Sequence, residues 1–281
     1  MSATTLASTL PSQHPVSTNG ETRSPTDGNA VRWRIPRANG SCPLHSSHDR
    51  GMSYRERPSV VPGVTLWWRD SLSSSVATRI LPDGCMDLIW DGSRLFVAGP
   101  DTRARWHASC SGASYVGLRF SRGLGPALLD AAADQLKDRS PDLAELWPSV
   151  QARGLAERVT EDPTGALERW LATRAGDRHV DRLGPAVFDL AAHGAPVEEM
   201  ARLVGFSVRQ LHRRCLPVFG YGPQHLRRVL RLGRALTLGR NGVPMARVAT
   251  DCGFADQAHL SREVRDLAGT TPTVLLGELS Q

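Results

Sequence analysis

Between Met200 and Thr250 the chain has no aspartate and no glutamate. The same stretch carries Arg202, Arg209, Arg213, Arg214, Arg227, Arg228, Arg231, Arg234, Arg240 and Arg247. Solvated helix faces usually mix both signs. An acid-free, arginine-rich stretch in a chain of net charge +6 therefore points to a polyanionic partner. Lysine is nearly missing too, Lys137 being the only one. That bias fits a GC-rich coding sequence and says little about chemistry.

Other absences narrow the function. No run approaches the ~20 apolar residues that span a bilayer. The start lacks a positive-then-apolar signal pattern, so a cytoplasmic location and no membrane partner are expected. Cys42, Cys85, Cys110, Cys215 and Cys252 show no short pair spacing, which argues against zinc sites, redox motifs and cysteine-based alkyl transfer. They read as reduced, buried apolar filler. Between residues 53 and 176 the only histidine is His107. The nearest approach to a metal set is Asp83, Cys85 and Asp87, with His107 and Cys110. However, "PDG" is a turn signal first and "CMDLIWD" alternates as a strand does. No metal, no cofactor and no catalysis are expected.

Composition divides the chain into four parts. Residues 1–51, rich in Ser, Thr, Pro, Gly and Asn, cannot bury enough surface to offset ordering entropy and read as disordered. Met52 is a candidate for the true start. Residues 52–147 open with "VTLWWRD", "SVATRIL", "CMDLIWD", "RLFVAGP" and "SYVGLRF", short β-rich runs between turn signals. Trp67, Trp68, Trp90 and Trp106 are expected to build their core or line a pocket. The pattern turns helical at "GPALLDAAADQL" and "DLAELW", and a helical linker is expected over 148–180. Residues 181–279 are helical throughout.

This last part contains a repeat. Pro196, Val197, Met200, Ala201, Gly205 and Phe206 match Pro244, Met245, Val248, Ala249, Gly253 and Phe254 at one offset. After one inserted residue, Leu211, Arg213, Gly220 and Pro223 match Leu260, Arg262, Gly269 and Pro272. Each copy predicts a helix, a glycine turn and a second helix. Proline begins the first helix, and Ser207 or Asp256 caps the second, Ser207 with Gln210 as a capping box. Val208, Leu211 and Cys215 are the expected buried stripe of the first copy; Leu260, Val264 and Leu267 that of the second. The outward faces present Arg209, His212 and Arg213, then Gln257, Ala258, Ser261 and Arg262, with His259 at the margin. Arginine, glutamine and serine are suited to base edges in the major groove. "GPQHLRRVLRLGRALTLGR" reads as a joining helix, with Leu226, Leu230, Gly233 and Leu236 near one face. Arg227, Arg231 and Arg234 lie on another, and Arg228 beside them. Such a helix would place the two readers about one DNA turn, roughly 34 Å, apart.

Residues 181–279 resemble the AraC/XylS family of bacterial transcription regulators. The resemblance rests on "A-x-x-x-G-F-S-x-x-x-L-x-R" at 201–213, "F-G-Y-G-P" at 219–223 and "L-R-L-G-R-A" at 230–235. It extends to "A-x-x-x-G-F-A-D-Q-A-H-L-S-R" at 249–262 and "G-T-T-P" at 269–272. It implies that the second helix of each copy, about 208–216 and 257–267, enters the major groove. Ser207, Arg209, His212, Arg213, Gln257, Ala258, Ser261 and Arg262 are then the DNA-binding residues, and Arg227, Arg228 and Arg231 meet the backbone. Cys215 and Val264 stand where the family usually has aromatics. Leu216–Pro217 interrupts the first reading helix, which is expected to stop early. "RILPDGCMDLIWDG", "VAGPDTRA" and "GLRFSRG" resemble an N-terminal domain found in one branch of these regulators.

The fold class expected is α+β and multidomain. A mainly-β, barrel-like (cupin-like) N-terminal domain is followed by helices, then by an all-α domain of two helix-turn-helix units and a joining helix. The expected partner is double-stranded DNA. RNA polymerase, a small-molecule effector and a second copy of the chain are further candidates. The rival readings are an architectural DNA binder without sequence preference and an enzyme with an appended DNA-binding domain.

Overall fold

The computed structural model describes residues 53–70, 76–177 and 181–279. The expectations for residues 1–51, Met52 and Cys42 lie outside them.

Among the described residues seven strands come first: β1 (Ser53–Pro58), β2 (Val64–Asp70), β3 (Val76–Ile80), β4 (Met86–Trp90), β5 (Leu95–Ala98), β6 (Arg105–Ser109) and β7 (Ser114–Phe120). They make two separate antiparallel sheets, one of five strands in the order β1-β2-β7-β4-β5 and one of β3-β6, rather than a closed barrel. Strand alternation sorts the large sheet. Val64, Leu66, Met86, Leu88, Trp90, Leu118 and Phe120 share one buried core. Trp67, Asp87, Ile89, Tyr115 and Arg119 line a cavity on the opposite side together with Ile80, Arg105 and His107 of the small sheet. Gly117 pairs with Trp67 in the β2–β7 register, and a Cβ there would come within 2.6 Å of the indole. Only glycine lets the ring lie across β7.

Five helices follow: α1 (Gly125–Leu129), α2 (Ala133–Leu136), α3 (Leu143–Leu146), α4 (Ser149–Glu161) and α5 (Pro163–Asp177). Leu155, Val159, Leu167 and Leu171 of α4 and α5 are buried in the same core as the large sheet. Within residues 148–177, α4 and α5 therefore pack against the sheet. Each fully buried leucine contributes roughly 1.5–3 kcal/mol, enough to hold two helices on a sheet face. Trp106 departs from its expected place. It is 58% exposed, with the Arg79 guanidinium 4.4 Å from its ring centroid.

The remainder is helical: α6 (Leu183–Ala192), α7 (Val197–Leu203), α8 (Val208–Phe219), α9 (Pro223–Arg240), α10 (Met245–Asp251), α11 (Gln257–Ala268) and α12 (Pro272–Leu279). The 18 residues of α9 span about 27 Å. Its first half, through Leu226 and Val229, completes a core with Leu211, Cys215 and Phe219. Its second half, through Leu232 and Leu236, completes another with Val248, Leu260, Val264 and Leu267. One helix thus belongs to both units. Among the described residues no helix is long and apolar enough to cross a membrane.

Candidate nucleic-acid interface

α8 and α11, the second helices of the two repeats, are built alike. Gly205 and Gly253 turn the chain with φ of 75° and 72°. Pro196 and Pro244 sit with extended backbone at the N-cap, one position earlier than expected. Ser207 Oγ accepts from Gln210 N at 3.2 Å, and Asp256 Oδ1 accepts from His259 N at 2.6 Å. Each helix runs 12 residues to a left-handed glycine, Gly220 or Gly269.

Two expectations for α8 are corrected. The helix does not stop at Leu216–Pro217 but continues through Pro217 to Phe219. An internal proline costs about 3 kcal/mol. Burial of Cys215 and Phe219 offsets it, as does the bond from Gly220 N to Leu216 O at 2.8 Å. Val208 is not part of the buried stripe; it is 44% exposed, at the first helical position.

Arg209, His212 and Arg213 are exposed on α8, as are Gln257, Ala258 and Arg262 on α11, while Ser261 is half-buried. The structure thus brings these sequence-selected side chains onto the outer faces of two matched helices. Some of their neighbours are engaged locally. Ser207 both accepts from Gln210 N and donates to Gln210 Oε1, so its hydroxyl works as a cap. The His212 ring lies against Gly222, where a Cβ would come within 2.3 Å of Nδ1. Arg214 stacks over Phe206 at 4.6 Å and Arg231 over the matching Phe254 at 4.1 Å.

The arginines of α9 divide by their partners. Arg228 donates to Glu263 at 3.0 and 3.2 Å and also pairs with Asp266. Arg231 donates to Glu263 at 2.9 Å and to Gly253 O at 3.4 Å. Burial alone would raise the Glu263 carboxyl; the hydrogen bonds from Arg228 and Arg231 bring it below its usual range. Arg228 and Arg231 thus fasten α11 to α9 through Glu263 and Asp266. Arg227 donates to Gln224 at 3.3 Å. Sequence reasoning missed Glu263 and Asp266. Their signal was the matching three-residue spacing of two acids on α11 and two arginines on α9.

The first domain leans on this region. Arg103 donates to Asp266 at 2.7 Å, Ala104 N to Leu267 O at 2.7 Å, and Arg79 to Ala268 O at 2.8 Å. The same domain holds the cavity between its sheets, of about 110 Å³. Trp67 Nε1 donates to Asp87 at 2.8 Å, and Arg119 lies 3.3 Å from Asp87 and 3.7 Å from Asp83. Burial raises the Asp87 carboxyl against the pull of Arg119, and pushes Asp101 up to about 6 against that of Arg105. Among the described residues no three His, Cys, Asp or Glu groups are placed to hold a metal ion. Cys85, Cys215 and Cys252 are buried as expected, whereas Cys110 is exposed.

Residues 189–277 match the family described as "Helix-turn-helix domain", and residues 58–142 match a "Domain of unknown function (DUF6597)". No curated protein matches the chain significantly. Among solved structures, the chain is similar to ToxT from Vibrio cholerae O395, with TM-score 0.42, 12% identity and coverage of 83% of this chain and 99% of that one. Unsaturated fatty acid-bound ToxT from strain SCE256 gives TM-score 0.44 and 11% identity over 80% and 98%. The "probable AraC family transcriptional regulator" of Rhodopseudomonas palustris gives TM-score 0.31 and 24% identity, covering 35% of this chain and 98% of that one.

Proposed function

We propose that the chain regulates transcription by sequence-specific binding to double-stranded DNA, a reading supported by the match of residues 189–277 to a helix-turn-helix domain. The domain match supports a DNA-binding transcription regulator; the assignment of individual readers goes further. In this reading α8 and α11 enter successive major grooves. Arg209, His212 and Arg213 read one, and Gln257, Ala258, Ser261 and Arg262 the other, with Arg227 on the backbone. The observation that carries the reading is the pairing of two cap-started, 12-residue helices on one shared helix, each with its polar face exposed. Arginine suits guanine, glutamine suits adenine, and alanine meets only a thymine methyl. The domain over 52–147 serves as the sensor of a small molecule, held in the cavity between its sheets, and as a dimerisation element.

The test is binding of the purified protein to its own upstream intergenic DNA against shuffled DNA, by fluorescence anisotropy at two salt concentrations. A preference for the native fragment that persists at higher salt is expected. Equal binding to both fragments, collapsing with salt, overturns the assignment for that fragment, and selection from a random duplex pool then separates a distant operator from a general binder.

A further inference from the structure

Val208 stands at the N-terminal end of the apolar stripe that continues as buried Leu211, Cys215 and Phe219, yet its own side chain is left open to solvent. It occupies the first position of α8 and is 44% exposed, although a β-branched residue there has no helix-forming advantage. The repeat gives it a counterpart. With Ser207 aligned on Asp256 and Leu211 on Leu260, Val208 falls on Gln257, and Arg209 on Ala258. Each helix therefore opens with one apolar and one polar side chain, in opposite order. Beside Val208, Ser207 and Gln210 are occupied in closing the capping box, while Arg209 is exposed. One turn on, His212 shares the face of Val208.

We propose that Val208 is a specificity-determining residue that contacts the C5-methyl group of a thymine in the half-site bound by α8. The proposal rests on the reading of α8 as a groove-entering helix. The first residues of such a helix approach base edges, and the thymine methyl is the one apolar group that the major groove offers. Removing a contact the size of one methyl group corresponds to about a fourfold loss of affinity.

The experiment begins with selection of a preferred duplex from a random pool by the full-length protein. Each thymine of that duplex is then replaced in turn by uracil, which removes only the methyl group. Wild type is expected to lose about fourfold at one thymine. Val208→Ala is expected to bind thymine and uracil alike there, while Val208→Ile keeps the discrimination. Val208→Gln, selected afresh, is expected to exchange that thymine for adenine. Because Val208 is exposed, the fold should tolerate all three, and helical circular dichroism checks this. Uracil replacement that is silent at every position, or an unchanged uracil profile in Val208→Ala, overturns the proposal while leaving sequence-specific binding intact. If wild type enriches no sequence at all, the regulator reading itself falls, and the role of Val208 with it.

Discussion

Arg228 of α9 grips Glu263 of α11 through two hydrogen bonds of 3.0 and 3.2 Å. Glu263 is a charged residue buried to 8% exposure. Arg231 holds the same carboxylate, and Asp266 one turn on is shared between Arg228 and Arg103 of the first domain. A buried carboxylate is tolerated where cations and hydrogen bonds surround it. Part of the charge of the acid-free arginine stretch thus sets the position of α11.

Glu263→Gln keeps the shape and removes the charge that Arg228 and Arg231 face. It should destabilise the second unit by about 1–3 kcal/mol, read as a lower thermal midpoint and faster hydrogen exchange along α11. The carboxyls of Glu263 and Asp266 lie below their usual ranges. Their contribution is therefore complete above the ordinary carboxylate range and is lost as pH falls through the lowered values, a loss that Glu263→Gln should reduce. Equal thermal midpoints for variant and wild type at pH 7 would show that the cluster does not hold α11.

The arginines can be sorted by DNA binding. Arg213→Ala should weaken specific binding by about 1–3 kcal/mol and relax one base position, whereas Arg227→Ala should weaken all sequences alike and lower the salt slope by about one. Arg228→Ala should act first on stability. Parallel titrations on specific and random duplexes at several salt concentrations make the comparison. A common loss for Arg213→Ala and Arg227→Ala on both duplexes would remove the distinction between reader and clamp.

Asp101 gives the cavity a pH signature. Its carboxyl is pushed up to about 6 by burial, so the folded state binds a proton more tightly than the unfolded chain. This group's contribution therefore favours folding most at low pH and declines as pH rises through about 4 to 6, by about 3 kcal/mol in total. In Asp101→Asn that slope should vanish. Thermal midpoints of both proteins from pH 4.5 to 7.5 test it, and parallel curves would contradict it.

Gly117→Ala should damage the first domain out of proportion to its size. The added Cβ would meet the Trp67 indole at 2.6 Å, and the ring is held in place by its hydrogen bond to Asp87. A loss of about 1–3 kcal/mol with a changed tryptophan emission spectrum is expected. Native stability with unchanged emission would mean that the ring can move aside freely.

Much of the fold was legible before any coordinates. β2 and β7 coincide with "VTLWWRD" and "SYVGLRF", because apolar alternation between turn signals is a local property. β1 and β6 were not seen. "SYRERP" and "RWHAS" carry charged and polar residues, as strands at sheet edges do, and their pairing depends on partners distant in sequence. The exposed Val208 and the unbroken α8 escaped for a related reason. Burial of a first-turn residue depends on what packs beside it, and survival of a helix through Pro217 depends on Phe219 reaching a core supplied by α9.

The chain by itself determined the repeat, the caps Ser207 and Asp256, the glycine turns and the outward side chains, since each follows from hydrogen bonding and periodicity within a few residues. Only the tertiary structure decided that the β domain is two sheets around a cavity. It alone decided that α4 and α5 join that domain's core, and that Arg228 and Arg231 bind Glu263. These outcomes depend on which surfaces meet, and an arginine's partner is the nearest carboxylate in space, here 35 and 32 residues away along the chain.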